Sequence, residues 1–168
     1  MILKLLNIGD SKKICLSIIK EGNEDALTYN IIAIIESKIG NIDSAKSYLE
    51  KATYKYPDNH ITFFNLGKIL YENGERNKSI ENFKKAIKIN PDLDNAYENI
   101  LNAQMEVSKF DDAFNFINLI KEEKPNFKFI KFYEGKIHFF KNNINEAYSL
   151  IKEVLNEDAN NYRALSLF

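Results

Sequence analysis

Residues 63–71 read FFNLGKILY, and residues 79–91 read SIENFKKAIKINP. Apolar or small residues of the first stretch recur at i, i+3, i+4 and i+7, namely Phe63, Leu66, Gly67 and Leu70. Those of the second stretch recur at i, i+4 and i+7, namely Ser79, Phe83 and Ala86. Both spacings place their residues on one face of an α-helix. The pattern therefore predicts two short amphipathic helices joined by a turn at Asn73-Gly74.

The same pattern returns along the chain with a period of 34 residues. The three prolines of the chain are spaced 34 residues apart, at Pro57, Pro91 and Pro125. Small residues follow it as well: Ala45, Ser79, Ala113 and Ala147. A fixed period shared by several residue classes indicates a tandem repeat. We set the four repeats at residues 26–59, 60–93, 94–127 and 128–161.

Local signals predict where the helices begin and end. Asp25 and Asn59 are expected to cap the first helices of their repeats. Each second helix is expected to open at a short polar residue, at Asp43, Asn77, Asp111 and Asn145. Gly40 and Gly74 mark turns, and each proline is expected to end a second helix. Glycine within a helix, at Gly67 and Gly135, predicts a close approach of the paired helix against small residues.

The flanking segments are expected to add further helices. Residues 1–25 are interpreted as a degenerate helix pair that caps the N-terminal end, with its turn at Gly9-Asp10-Ser11. Residues 162–168 are interpreted as the start of another first helix. Because this last segment is apolar, we expect either a fragment of a longer protein or a C-terminal end that self-associates.

The composition argues against several function classes. Lys and Arg (23) nearly balance Asp and Glu (24), and the net charge is −1, so no basic excess favours nucleic acid or anionic lipid. The single cysteine, Cys15, fits a reducing compartment and is expected in the core. No stretch approaches the ~18 apolar residues of a membrane-spanning helix. We expect a cytoplasmic protein that binds neither nucleic acid nor membrane.

The sequence contains no recognisable catalytic or metal-binding constellation. His60 and His138 lie in different repeats, and one cysteine gives no metal-ligand spacing. Lys68 and Lys136 each follow a glycine, but both lack the upstream glycine of a phosphate-binding loop. We therefore expect no enzyme activity, no cofactor and no metal.

Residues 63–91 resemble the tetratricopeptide repeat family. They are similar to its large–x–x–Leu–Gly–x–x–Tyr first helix and its Ala–x–x–x–Phe–x–x–Ala second helix with a terminal proline. The resemblance covers about residues 26–161, with departures such as Leu101 and Ala159. It implies an all-α fold, a right-handed α-solenoid of antiparallel helix pairs, in which the first helices line a concave groove. The longer HEAT and armadillo units do not fit this period.

The resemblance also implies which side chains line the groove. Asparagine amides in its middle match the donor and acceptor of a peptide group. Aromatic residues of the fourth repeat offer either a pocket for an anchor side chain or a packing surface for residues 162–168. The residues expected to contact a partner are Asn65, Lys68, Tyr71, Asn99, Asn102, Phe132, Tyr133, Lys136 and Phe139.

Two functions are open at this point. The first is a protein–protein interaction scaffold or adaptor that holds a peptide or partner helix in the groove. The second is a structural repeat segment of a larger protein or assembly that contacts partners, or a second copy of itself, through its ends. The family's carboxylate clamp for chaperone tails is not expected, since Asn65 alone matches its residue set.

Overall fold

The structure is a computed structural model that describes residues 8–125, 127 and 129–167. These residues form helices and no strand, so the predicted all-α solenoid class of adjacent helix pairs is confirmed. The chain divides into two compact units, and the division falls between Ile100 and Leu101. The helices are α1 (Ile8–Lys20), α2 (Ala26–Lys38), α3 (Ile42–Lys55), α4 (His60–Glu72), α5 (Arg76–Ile89), α6 (Asp94–Glu106), α7 (Phe110–Glu123), α8 (Ile130–Phe140), α9 (Ile144–Glu157) and α10 (Tyr162–Leu165).

The first unit is held together by packing between successive helices. Helix α2 contacts α1, α3 and α4, and α4 contacts α3 and α5. Alternate helices α2 and α4 therefore lie side by side, with α3 packed against both. One core cluster of this unit comes from α2, α3 and α4: Ala33, Ala45, Leu49, Leu66, Ile69 and Leu70.

Glycine within the first helices of the pairs allows close packing, as predicted. A Cβ at Gly67 would lie 2.7 Å from two ring carbons of Phe83 on α5, and one at Gly135 would lie 2.8 Å from Ile151 Cδ1 on α9. The nearest atoms thus belong to large side chains rather than to Ser79 or Ala147, which corrects the expected small-residue surfaces. Each glycine makes room for a bulky residue of its paired helix.

The caps of two first helices are confirmed. Asp25 Oδ1 accepts a hydrogen bond from the Thr28 N–H at 2.7 Å, and Asn59 Oδ1 accepts one from the Thr62 N–H at 2.9 Å. Each cap satisfies a backbone donor that the first turn of a helix leaves without a partner.

The predicted starts of the second helices are wrong. The helices begin one residue before Asp43, Asn77, Asp111 and Asn145, and the residue preceding each start makes no side-chain cap bond. The physical reason is the preceding turn, which closes through the backbone alone. The Asn41 N–H donates to the Glu36 carbonyl at 2.8 Å, while Gly40 takes φ +86°. This is a Schellman-type end, and the next helix follows directly.

The remaining turn predictions agree with the structure. Gly74 has φ +82°, and Ser108 and Asn142 take positive φ at the corresponding positions of the later turns. Helices α3, α5 and α7 each end two residues before a proline, as predicted. Proline ends a helix because it lacks an N–H and biases the preceding residue away from helical angles.

The predicted turn at Gly9-Asp10-Ser11 is wrong, because these residues lie inside α1. A single glycine costs a helix only about 1 kcal/mol, and packing against α2 outweighs that cost. Residues 1–7 of the expected helix pair lie outside the described residues. Lys12 of α1 forms a 2.7 Å ion pair with the buried Glu36 of α2, which links the two helices.

The second unit repeats the same packing. Helix α8 contacts α7 and α9, and α9 contacts α10. Its buried residues include Leu101, Ile117, Tyr133, Ile137 and Ile151. The short helix α10 is capped by Asn161, whose side chain accepts from the Ala164 N–H at 3.1 Å.

Candidate functional site

A cleft of about 250 Å³ separates α2 and α4 in the first unit. Asn65 and Lys68, both expected to contact a partner, lie in this cleft. The lining combines apolar and polar side chains: Ile34, Ser37, Lys38, Asn65, Lys68, Ile69 and Glu72. Lys38, Lys68 and Glu72 are exposed, and within the described part of the chain none of them forms an ion pair. Their charges are therefore available to a partner.

A buried hydrogen-bond network fixes the orientation of Asn65. Its Nδ2 donates to Asn30 Oδ1 at 2.6 Å. Asn30 is only 3% exposed, and its own Nδ2 donates to the Ala26 carbonyl at 2.7 Å and to Thr62 Oγ1 at 2.8 Å. Nδ2 of Asn65 faces Asn30, and within the described residues Oδ1 of Asn65 accepts no hydrogen bond, so it can accept one from a ligand. The network holds a peptide-like acceptor at the cleft wall before any partner binds.

An apolar stripe runs along the open side of α2. Leu27, Ile31 and Ile34 stand one helical turn apart, and Leu27 and Ile34 are exposed. Leu27 and Ile31 also line a second cleft of about 370 Å³ between α1 and α2. The stripe therefore connects the two clefts of the first unit. Exposed apolar surface with a polar rim is typical of an interaction site.

Tyr71 and Asn99 lie outside the lining of the α2–α4 cleft. Tyr71 is half-buried at the end of α4, where the Arg76 guanidinium stacks over its ring at 4.1 Å and donates to its carbonyl oxygen. Asn99 is half-buried on α6. Of the expected first-unit residues, Asn65 and Lys68 thus line this cleft together, and Tyr71 and Asn99 do not line it.

Phe132 and Tyr133 do not present open rings. Phe132 is 7% exposed and Tyr133 is 1% exposed, so neither offers a pocket wall to a partner. Their rings pack against each other, with centroids 5.1 Å apart. This corrects their expected role as anchor-binding aromatics, because burial within the unit already uses their apolar surface.

Lys136 and Asn102 meet over these buried rings in the second unit. Asn102 Nδ2 donates to the Tyr133 hydroxyl at 3.2 Å, and Lys136 Nζ donates to Asn102 Oδ1 at 3.3 Å. Lys136 Nζ also lies 5.9 Å from the ring centroids of both Phe132 and Tyr133. Burial lowers the pKa of Lys136, because a charged amine loses hydration there.

Phe139 lines an apolar pocket of about 140 Å³, and Lys136 is not part of that lining. The pocket is lined by side chains of α8, α9 and the residues after α10: Phe139, Ile144, Ala147, Tyr148, Ile151 and Leu167. Phe139 is 42% exposed, and Ile144 and Tyr148 are more exposed still. This end of the second unit is therefore an exposed apolar surface.

Cys15 is a core residue rather than a reactive one. Cys15 is buried, as predicted, and burial raises the pKa of its thiol, which makes it a poor nucleophile. Among the described residues, no group of three or more His, Cys, Asp or Glu side chains could hold a metal ion. Within the same residues, no helix is long and apolar enough to cross a membrane.

Sequence reasoning missed the residues that position the site. Asn30, which is not among the residues expected to contact a partner, is a buried link between α2 and α4. Its partners lie 32 and 35 positions away, close to one repeat length. A polar residue that recurs near one repeat interval on successive first helices is the signal that points to such a network.

Comparisons with known proteins agree with this architecture. Residues 26–59 match the family model described as "Tetratricopeptide repeat", and residues 67–106 match one described as "TPR repeat". No curated protein sequence matches the chain significantly.

Several solved structures are similar to the chain. The crystal structure of MamA aligns with a TM-score of 0.77 at 18% identity, covering 90% of this chain and 89% of MamA. A tetratricopeptide repeat protein from Parabacteroides merdae gives 0.81 at 13% identity, covering 95% and 64%. The pilF protein of Pseudomonas aeruginosa gives 0.67 at 15% identity, covering 95% and 80%. At these identities, the likeness concerns the fold.

Proposed function

Because the chain belongs to the tetratricopeptide repeat family, whose fold serves as a protein-interaction scaffold, we propose that its first unit holds a peptide segment of another protein. The proposed seat is the cleft between α2 and α4. The observation that carries the proposal is Asn65, an amide held by a buried network, whose Oδ1 accepts no hydrogen bond from any residue that the structure describes.

The chemistry of the cleft fits a peptide in extended form. Asn65 Oδ1 accepts a backbone N–H, and Ile34 offers apolar contact to a side chain beside it. Lys38 and Lys68 supply cations at the rim, and Glu72 supplies one anion. An apolar floor with a charged rim gives affinity from the centre and selectivity from the edge.

A peptide selection tests this proposal. Random twelve-residue peptides displayed on phage are selected against the intact chain, and the enriched peptides are synthesised and titrated. The double variant Ile34→Glu with Asn65→Ala should weaken their binding roughly tenfold or more, since it removes both the apolar contact and the acceptor. The matched control is Tyr54→Ser on α3, whose side chain is 91% exposed. Equal binding by wild type and the double variant would rule out this seat.

One observation favours the second candidate function, contact through an end of the chain. The second unit exposes Ile144 and Tyr148 in the lining of the apolar pocket at Phe139, and it also exposes Leu165 on α10. Under this proposal, a second copy of the chain or a neighbouring subunit covers that surface. Sedimentation velocity at rising protein concentration should then show self-association that Ile144→Ser with Leu165→Ser abolishes. A wild-type chain that stays monomeric at every concentration would contradict self-association.

A further inference from the structure

Helix α1 holds the place of a second helix in the repeat. It begins at Ile8, one repeat length before α3 begins at Ile42. Cys15 of α1 stands two repeat lengths before Phe83 of α5, whose ring packs against Gly67 of the paired first helix α4. Cys15 lines the cleft of about 370 Å³ between α1 and α2. This α1–α2 cleft therefore lies where a second helix meets its paired first helix.

Helix α2 turns the corresponding side towards the same cleft. Thr28 and Ile31 line the cleft, and they stand one repeat length before Thr62 and Asn65 of α4. Both of these α4 residues face the preceding first helix, because they form hydrogen bonds with Asn30 of α2 at 2.8 Å and 2.6 Å. The positions of α4 that contact a preceding first helix thus line the α1–α2 cleft in α2. The cleft has the walls that a first helix needs on two sides.

The α1–α2 cleft fits the beginning of a first helix rather than its end. Its lining includes Ile18 near the end of α1 and Asp25, the cap at the start of α2. Helices joined by short turns run antiparallel, so the first turns of a helix paired with α1 lie beside the last turns of α1. Residues 1–4 stand one repeat length before residues 35–38 at the end of α2, so they correspond in sequence to the opposite end of such a helix.

Helix α10 is the beginning of a first helix. Its cap Asn161 stands three repeat lengths after Asn59, and each asparagine accepts a hydrogen bond from the backbone N–H three residues on. Leu165 of α10 stands four repeat lengths after Tyr29, whose ring lies 6.5 Å from that of Tyr48 on the second helix α3. Tyr29 is 7% exposed, whereas Leu165 is 51% exposed. Leu165 thus presents to solvent the apolar surface that a first helix buries against a second helix.

We propose that α10 of one copy of the chain docks in the α1–α2 cleft of a second copy, so that two chains together form one helix pair. In this arrangement Leu165 contacts Ile14 of the second copy, because Ile14 stands one repeat length before Tyr48 and is 47% exposed. Both apolar side chains then leave water. The contact is heterologous, since each copy uses a different surface. This inference rests on the second candidate function, self-association, and deepens it by naming the surface that receives α10.

Two variants of the full chain, each lacking one of the two surfaces, test this pairing. Leu165→Asp places a charge on α10 and keeps the cleft, whereas Ile14→Asp places a charge in the cleft and keeps α10. In sedimentation velocity, each variant alone should associate at least about tenfold more weakly than the wild type. An equimolar mixture should form a one-to-one complex with an affinity within a few-fold of wild type, since it contains one intact cleft and one intact α10. Absence of that complex would overturn the inference.

The matched control is Leu16→Asp, which alters an exposed leucine of α1 that does not line the cleft and should associate like the wild type. Thermal unfolding followed by circular dichroism checks that each variant is folded. If Ile14→Asp does not fold, Leu27→Asp replaces it, because Leu27 lines the cleft from α2 and is 63% exposed.

The outcomes separate this inference from self-association itself. If Ile14→Asp associates as tightly as the wild type while Leu165→Asp stays monomeric, α10 docks on another surface, and the inference fails while self-association stands. If the wild type stays monomeric at every concentration, both fail. Weakening by the two cleft and α10 variants, together with recovery in their mixture, supports both.

Discussion

Replacing Asn30 by leucine tests whether the buried amide network links the helices that form the cleft. Asn30 and Thr62 are 3% and 0% exposed, and their side chains are joined by a 2.8 Å hydrogen bond between α2 and α4. Leucine has the same number and branching of side-chain heavy atoms, although its methyl groups take more room than the amide, so Asn30→Leu chiefly removes hydrogen bonding.

The expected cost follows from the bonds that are lost. Asn30→Leu removes the donor to Thr62 Oγ1 and the acceptor for Asn65 Nδ2. Thr62 is buried and loses an accepted bond without access to water, which costs about 1–3 kcal/mol. Asn65 is half-buried, so water can replace most of what it loses. We expect Asn30→Leu to lower the free energy of unfolding by about 1–3 kcal/mol.

A double-mutant cycle with Thr62→Val isolates the bond, measured by urea unfolding. The coupling energy between the two substitutions should be about 0.5–1.5 kcal/mol. Asn82→Leu is the matched control, because Asn82 Nδ2 makes the same i to i−4 bond, to the Lys78 carbonyl, but on an exposed surface. We expect it to change stability by less than about 0.5 kcal/mol. Additive effects of Asn30→Leu and Thr62→Val would refute the reasoning.

Three further perturbations have defined outcomes. Gly67→Val should destabilise the fold by about 1–3 kcal/mol in urea unfolding, because its side chain would overlap the buried Phe83 ring; an unchanged midpoint would contradict this. Lys12→Met should lower the free energy of unfolding by about 1–3 kcal/mol, because it leaves the buried Glu36 carboxylate without its partner. This is less than a fully buried pair would lose, since Lys12 is partly exposed, and adding Glu36→Gln should restore part of the lost stability. Ion-pairing and hydrogen bonds lower the pKa of Glu75 to about 2, so its stabilising effect is complete above pH 4.5 and is lost as the pH falls towards 2; Glu75→Gln should flatten unfolding stability in that window, and an identical profile would count against the pair.

The repeat pattern predicted the helix pairs because the same local physics recurs at each interval. A positive φ is needed where each first helix ends, and glycine supplies it at Gly40 and Gly74. Proline then ends the second helices. The helix starts at Asp43 and Asn77 were misplaced because the turn closes backbone to backbone, which needs no side-chain cap. Local sequence does not distinguish these two ways of starting a helix.

The site was predictable in part. Asn65 and Lys68 were predicted as partner-contacting residues from their positions on a first helix, and the structure brings them into one cleft. Phe132 and Tyr133 occupy similar positions on the first helix of the fourth repeat, yet they are buried. The difference depends on how neighbouring helices cover each side chain, and a single helix face does not contain that information. The link from Asn65 to Asn30 likewise depends on packing between α2 and α4.

A crystal structure of the chain with a selected peptide tests the central claim most directly. The account predicts peptide density in the cleft between α2 and α4, with a peptide N–H donating to Asn65 Oδ1 and a side chain against Ile34. Density on the outer faces of α3 and α5, with the α2–α4 cleft empty, would contradict it.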